Sequence, residues 1–373
     1  METMILDRLE KRLEEVAGLK APIQTHFQLA VGTSAGGLNL LALFFKGWRA
    51  ARCTHEYERL ASAAFHREFW NKIPFLSALW TIWNNGLYPS HNFEELLRQT
   101  FGSETTLLDG HYARSIGARI AIPVARSPDP SLLLLNNYNG IGESAVRLGY
   151  DVTPNCDSVK VWETARCCTA AASFFRPFLI KGLGWLQDAG LTGNNPDVCF
   201  SEFRALYGPR SIPQFMINIG TGSSKAKIKG VMGESSPRAR TVLGRVLKRY
   251  CGRDTAAWSN HFIPRLIKGY LKMLKGDWTW QVIARTVKQI PEVGNRCFRL
   301  DVDLGSLEPR LDDVESLTLM KEQQLGTSSR PSFTSSHERP VQGTGQTPGA
   351  HSGSTVYIGP VTLLSQHSWT NFP

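Results

Sequence analysis

Apolar residues recur near the start of the chain at the spacing of an α-helix. The repeating positions, three or four apart, are Ile5, Leu6, Leu9, Leu13 and Val16. This pattern predicts an amphipathic helix over Glu2–Ala17 that ends at Gly18. An apolar run at residues 27–31 then predicts a buried strand, and a run at residues 38–45 predicts a buried helix. Between them lies a glycine-rich turn, so the order is strand, turn and helix.

Farther along, predicted helices and predicted strands alternate. The helical patterns cover residues 54–70, 92–101 and 159–172, and the strand-like runs cover residues 118–124, 131–135, 184–187 and 214–219. Such alternation is typical of an α/β fold, with a mainly parallel sheet and helices on both of its faces.

Positive charge is concentrated in one segment. The chain has 42 Lys and Arg against 32 Asp and Glu, a formal charge of +10. Residues 223–288 hold 15 of these basic residues and 3 of the acidic ones, which leaves 27 against 29 for the remainder. A local excess of this size indicates an anionic partner, either lipid headgroups or nucleic acid.

Residues 263–280 within this segment have an apolar face, an opposite basic face and two tryptophans at the end. The pattern predicts peripheral contact with an anionic membrane surface. An ordinary helix with its cations in solvent has the same pattern, and that alternative stays open. Nucleic acid is not expected as a partner, because no recognised nucleic-acid module accompanies the charges.

Composition divides the chain into four predicted segments. Residues 1–222 form the α/β core, and residues 223–325 form a basic helical extension with a last helix at 311–323. Residues 326–356 are predicted to be disordered, since 20 of the 30 residues at 326–355 are Gly, Ser, Thr or Pro. Residues 357–373 form a tail.

Several classes of protein are excluded. The apolar stretches are far shorter than the roughly 18 residues of a membrane-spanning helix. The first residues lack the hydrophobic segment of a secretory signal. The seven cysteines include no C-x-x-C pair, so neither a zinc site nor a disulfide framework is indicated. We expect a cytoplasmic protein with reduced thiols, and peripheral membrane contact as a further expectation.

The main chemical motif lies between the first predicted strand and its helix. It reads Gly32-Thr33-Ser34-Ala35-Gly36, the Gly-x-Ser-x-Gly pattern of a nucleophile elbow. Such an elbow exposes a serine hydroxyl above the sheet, and glycines avoid a Cβ where the backbone turns sharply. A glycine-rich turn that only packs a helix on a sheet, or a phosphate loop, fits the same pattern. Ser34 is therefore the predicted nucleophile.

A hydroxyl nucleophile requires a base. His91 and His111 are the most plausible histidines, but neither lies at a predicted strand end. Asp188 is the better candidate, since it ends a strand-like run and is followed by Ala189-Gly190. A carboxylate acts as a general base when burial raises its pKa toward the working pH. The alternative is that Asp188 is only a turn residue.

These residues resemble the patatin-like phospholipase family. Ser34 in Gly-Thr-Ser-Ala-Gly-Gly is similar to the family's nucleophile, and Asp188 in Asp-Ala-Gly-Leu-Thr-Gly-Asn-Asn-Pro is similar to its partner. Residues 137–139, 162–166, 170–177, 217–222, 298–300 and 311–314 resemble other family segments, in the same order. The resemblance covers roughly residues 1–323.

The resemblance implies a three-layer α/β sandwich and a lipid acyl hydrolase of phospholipase A type. Ser34 would attack the ester of a phospholipid or another acyl lipid, and Asp188 would take its proton. An acyl-enzyme would form, with no metal or organic cofactor. Ala189 stands where the family commonly has glycine.

One departure from the family leaves an alternative open. Family members begin with a strand and a loop, Asp-Gly-Gly-Gly-x-Arg-Gly, whose amides bind the oxyanion. Met1 falls inside the helix that follows this loop, so the first strand and these donors are expected to be missing. Losing one such donor costs on the order of 100- to 1,000-fold in rate. Either the sequence begins short of the natural start, or the protein is a weakened or inactive relative that binds lipid or protein.

Overall fold

The computed structural model describes residues 1–18, 20–65, 85–127, 129, 131–172, 174–191, 195–221, 280, 296–302, 314 and 361–365. The basic helix at 263–280, the last helix at 311–323 and the glycine- and serine-rich segment at 326–356 lie outside the described residues, apart from residues 280 and 314. These three stay predictions.

Five of the seven helices described lie close to where the apolar periodicity predicts them, whereas the helices at 111–115 and 195–207 were not predicted. The seven are α1 (Glu2–Ala17), α2 (Ala35–Leu40), α3 (Ala50–Ala64), α4 (His91–Phe101), α5 (His111–Ser115), α6 (Val161–Cys168) and α7 (Asn195–Tyr207). Gly18 ends α1 as predicted, with a left-handed φ of 65° and its N–H donated to Glu14 O at 3.0 Å. A π-helical turn, Leu41–Phe45, continues α2.

Nine strands build one sheet in the described part of the chain. They are β1 (Leu29–Gly32), β2 (Arg119–Ser127), β3 (Leu132–Asn136), β4 (Tyr150–Val152), β5 (Phe178–Ile180), β6 (Gly184–Asp188), β7 (Phe215–Ile219), β8 (Cys297–Leu300) and β9 (Val361–Ser365). Their order is β4-β3-β2-β1-β9-β7-β8, and the β5–β6 hairpin joins through the pairing of β6 with β2.

Helices cover both faces of the sheet, as predicted. Alternate residues of β2 point to opposite layers: Ile120 and Ile122 belong to the larger core beneath α1, α2, α3, α4 and α6. Ala121 belongs to a smaller core, which it shares with Val198 and Phe203 of α7. All four residues of β1 are buried, because a strand covered on both faces has no solvent side. The architecture is a three-layer α/β sandwich.

Strand direction departs from the prediction of a mainly parallel sheet. The pairs β1–β2, β3–β4 and β7–β8 are parallel. The pairs β1–β9, β2–β3, β2–β6, β5–β6 and β7–β9 are antiparallel. Parallel neighbours need a long crossover connection, usually a helix, whereas a short hairpin makes its two strands antiparallel. The sheet is mixed because some neighbouring strands are joined by short hairpins and because β9, which is distant in sequence, lies between β1 and β7.

The neighbour of β1 opposite β2 is β9. It pairs antiparallel with β1 on one side and with β7 on the other, so β1 has a neighbour on both of its edges. Strands β8 and β9 come from beyond residue 222, and the sheet is therefore not confined to residues 1–222. Among the described residues, no helix has the length and apolar content needed to cross a bilayer.

Strands β1 and β6 meet end to end along β2. The first residues of β2 pair with β1, with Leu29 opposite Arg119. Its last residues pair with β6, with Asp188 opposite Val124. Since β1 runs parallel to β2 and β6 runs antiparallel, the two strands point toward each other on the same side of β2. The residues that follow β1 and those that end β6 are thereby brought together.

Candidate active site

Ser34 occupies a strained turn between β1 and α2. Its backbone has φ 56° and ψ −129°, a region that residues with a Cβ rarely adopt. Hydrogen bonds on both sides hold the turn: the Gly36 N–H donates to Thr33 O at 2.9 Å, and the Leu38 N–H donates to Ser34 O at 3.2 Å. This strand, strained serine and helix have the geometry of a nucleophile elbow.

The turn closes because two backbone segments approach without intervening side chains. A Cβ on Gly32 would lie 2.7 Å from both the carbonyl carbon and the oxygen of Gly36, and 2.9 Å from Leu40 Cδ1. A Cβ on Gly37 would lie 2.9 Å from Gly32 O. Gly32 is therefore required by space, and Gly37, which the sequence pattern did not single out, is required for the same reason.

We expect Gly32→Ala to lower the free energy of unfolding by about 2–4 kcal/mol, because the added methyl group meets backbone atoms that cannot move independently. Thermal and urea unfolding measure the change. Gly18→Ala is the matched control: Gly18 has a positive φ of 65° but no atom within 4 Å of an added Cβ, so it should cost only about 1 kcal/mol. Equal losses in the two variants would contradict the steric explanation.

Asp188 lies at the last position of β6, directly beside Ser34. Both side chains are 7% exposed, and the Ser34 hydroxyl donates a hydrogen bond to the Asp188 carboxylate. The Gly190 N–H donates to Asp188 Oδ1 at 2.8 Å. The Asp188 N–H donates to Ala170 O at 3.1 Å. Helix α6 ends at Cys168, earlier than predicted. Ala170, whose carbonyl accepts this hydrogen bond, lies in the segment that follows the helix.

Burial raises the pKa of Asp188 to about 6, while the hydrogen bonds from Ser34 and from the Gly190 N–H lower it. A carboxyl group with this pKa is mainly ionised at neutral pH, and it is far more basic than an exposed aspartate. It can therefore accept the proton of the hydroxyl group that already points at it.

The two candidate histidines lie elsewhere. His91 is the first residue of α4 and His111 is the first residue of α5, and both are exposed. Neither lines the cleft beside Ser34. Within the described residues, no cluster of three or more His, Cys, Asp or Glu is arranged to hold a metal ion.

An apolar cleft opens next to Ser34, between α2, α3, α4 and the segment after α6. Its empty volume, including solvent at its mouth, is about 480 Å³. The lining side chains are mostly aliphatic or aromatic: Ser34, Ala35, Leu38, Tyr57, Leu60, Ala61, Ala64, Phe65, Phe93, Thr169, Ala171 and Phe175. The nucleophile candidate is thus one wall of a site for an apolar group.

Aromatic rings stiffen the far side of this cleft. The rings of Phe93 and Phe175 stack with centroids 5.8 Å apart, and Phe65 contacts Tyr88 edge to face at 5.5 Å. The Tyr88 N–H donates to Phe174 O at 2.9 Å, which joins the segment before α4 to the segment after α6. Contacts of this kind fix the shape of an apolar pocket.

The structure brings together Ser34 and Asp188, which the sequence predicts, and adds a cleft that the sequence did not predict. The walls of the cleft come from the inward faces of three helices, and in a sequence an inward apolar residue looks the same whether it packs against the core or lines a cavity. The one available signal was Phe175, in the segment 170–177 that resembles the family.

The sequence model of the patatin-like phospholipase family matches residues 6–196, just over half of the chain. The matched range contains both Ser34 and Asp188. The chain therefore belongs to the patatin-like phospholipase family, and the resemblance noted in the sequence is confirmed. No curated protein matched the chain.

Proposed function

We propose that this protein is a serine-type lipid acyl hydrolase, of the phospholipase A type, that uses Ser34 as nucleophile and Asp188 as general base. The observation that carries the proposal is the hydrogen bond from the Ser34 hydroxyl to a buried carboxylate. A pair of this kind can activate an alcohol without a histidine, because the carboxylate is itself basic enough to remove the proton.

The reaction would proceed in two halves. Ser34 Oγ attacks the ester carbonyl carbon while Asp188 takes the hydroxyl proton, and the tetrahedral intermediate collapses to an acyl-enzyme as the alcohol leaves with that proton. Water, deprotonated by Asp188, then attacks the acyl-enzyme; the Ser34–acyl bond breaks, the fatty acid is released, and Asp188 returns the proton to Ser34 Oγ. In a nucleophile elbow the N–H of the residue after the nucleophile helps to bind the oxyanion, and in this chain that residue is Ala35.

The cleft supports a lipid acyl group as the substrate. It places the aliphatic and aromatic side chains of Leu38, Leu60 and Phe175 around an opening whose edge is Ser34. An acyl chain bound there would gain about 0.8 kcal/mol for each buried CH₂ group. Membership of the family supports the same class of substrate.

A second candidate function is a catalytically silent domain that binds lipid or protein. The observation in its favour is the apolar cleft, which can hold an acyl chain whether or not Ser34 reacts. The two candidates differ in whether Ser34 reacts with an electrophile.

Labelling with a fluorophosphonate probe tests the proposal. We expect the full chain to be labelled at neutral pH and peptide mapping to place the label on Ser34, because the probe reports an activated hydroxyl beside a base. Labelling should fall below pH 6, as Asp188 becomes protonated. Heat-unfolded protein is the control and should take up no label. A folded chain that is not labelled would contradict the enzyme and favour the silent domain.

A further inference from the structure

The hairpin formed by β5 and β6 runs along the last residues of β2, and its turn lies beyond the end of that strand. Asp188 pairs with Val124, and Trp185, three residues earlier, pairs with Ser127. A strand rises about 3.4 Å per residue, so Trp185 lies about 10 Å beyond Asp188, in the direction in which β1 points. The turn at residues 181–183 lies farther out along the same line.

One face of this hairpin is anchored in the protein. Phe178 pairs with Leu186 across the hairpin, and Leu186 is fully buried. The ring of Phe178 contacts Trp162 of α6 edge to face, with centroids 5.5 Å apart. The hairpin is therefore held firmly where it leaves the sheet.

The opposite face carries an exposed apolar pair. Leu179 and Trp185 are direct cross-strand partners, and each is 51% exposed. A single large apolar side chain that is half exposed to solvent is common, whereas two that are cross-strand partners near the end of an anchored hairpin form a surface that can bind another body.

Two further features lie at this same edge. Residues 176–187 include Arg176 and Lys181 and no acidic residue, and both of these basic side chains are exposed. Leu148 is 83% exposed and precedes β4, whose first residue pairs with Leu132 at the sheet level of Gln187.

Acidic groups also lie at this edge of the sheet, outside the hairpin. Asp151 is paired with Arg126 at 2.5 Å, and Asp129 lies in the turn between β2 and β3. The hairpin itself carries only positive side chains around its apolar pair.

We propose that this hairpin docks the protein on the surface of an anionic phospholipid bilayer. A half-exposed Trp and Leu insert at the boundary between headgroups and acyl chains, where an indole ring is favourable. Lys181 and Arg176 contact the anionic headgroups. Docking itself requires no hydrolysis. The further inference that docking turns the mouth of the Ser34 cleft toward the lipid rests on the function proposed above.

The test is sedimentation of the full chain with vesicles of diether phospholipids, which contain no ester to hydrolyse. Vesicles of diether phosphatidylcholine alone are compared with vesicles containing diether phosphatidylglycerol. We expect preferential binding to the anionic vesicles. The double variant Leu179→Glu, Trp185→Glu should bind them at least about tenfold more weakly, since two apolar contacts are replaced by repelled charges.

Two further variants separate the contributions. Lys181→Gln keeps the apolar pair and should weaken binding to anionic vesicles about fivefold, the effect of one basic residue near such a surface. Val16→Glu is the matched control: Val16 is 50% exposed, at the end of α1 that leads toward the start of β1. It should bind like the wild type. Circular dichroism and thermal melting verify that every variant is folded.

Unchanged binding by the folded double variant would overturn the proposal, and so would a wild type that does not bind anionic vesicles. Light scattering supplies a third decisive outcome: if the wild type self-associates through Leu179 and Trp185 and does not bind vesicles, the hairpin is an interface between copies. Because binding is measured without hydrolysis, a chain that docks but is not labelled at Ser34 would retain the docking site and lose the proposed enzyme activity.

Discussion

Ser34→Ala is expected to reduce fatty acid release from phospholipid vesicles by at least about 10,000-fold, because no other group can form the acyl-enzyme when the nucleophile of a coupled pair is removed. The Ser34 hydroxyl is the hydrogen-bond donor to Asp188, so the substitution leaves the base without an alcohol to activate. Mass spectrometry of the released fatty acid measures the rate directly.

A second serine supplies the control for this experiment. Ser115 ends α5, and its hydroxyl donates to the carbonyl of Tyr112 at 2.8 Å, so Ser115→Ala makes the same chemical change away from the cleft. We expect it to retain the wild-type rate. Thermal melting checks the fold of Ser34→Ala, whose alanine must adopt a φ of 56°. A folded Ser34→Ala with undiminished hydrolysis would eliminate Ser34 as the nucleophile.

The sequence allowed the two central residues to be predicted because each depends on local order. A buried strand before Gly32 and an apolar helix after Ala35 define the elbow. A strand-like run that ends at Asp188 places a carboxylate at the edge of the sheet. Both features are read from a few consecutive residues, where the chemistry of glycine and the alternation of apolar positions decide the conformation.

The pairing of strands could not be predicted in the same way. Strand β9 lies beside β1 although more than 300 residues separate them along the chain, and β5 contains only three residues. No local pattern specifies which distant segment will satisfy the hydrogen-bonding groups of a strand. The expectation of a mainly parallel sheet failed for that reason, while the assignment to an α/β sandwich held.

The short strand β6 connects the candidate active site with the exposed apolar pair of the hairpin. Its last residue is Asp188, and three residues earlier is the exposed Trp185. Leu186, between them, is buried in the larger core. A strand with the proposed base at one end and the proposed docking pair toward the other fixes their separation. If the proposed activity and docking both hold, this fixed separation presents the cleft to the bilayer in one orientation.

Asp188→Asn is expected to lower kcat/KM for ester hydrolysis by about 1,000- to 10,000-fold. The amide has nearly the size of the carboxylate and can still accept the Gly190 N–H, but it cannot take a proton, and loss of a general base costs rates of this order. Asp157→Asn, at an exposed position, is the matched control and should leave the rate unchanged.

The pH dependence distinguishes a base from a residue that only supports the fold. Burial raises the pKa of Asp188 from its usual 3.8 to about 6, so the wild-type kcat/KM should rise with pH through about 6, as the carboxylate ionises. The folded state binds a proton more tightly than the unfolded chain, and Asp188 therefore reduces stability as pH rises from about 4 through 6. Asp188→Asn removes that cost and should be more stable than the wild type at pH 7, by on the order of 2 kcal/mol. A purely structural aspartate predicts the reverse, a variant that is less stable and keeps the wild-type pH profile at a reduced rate.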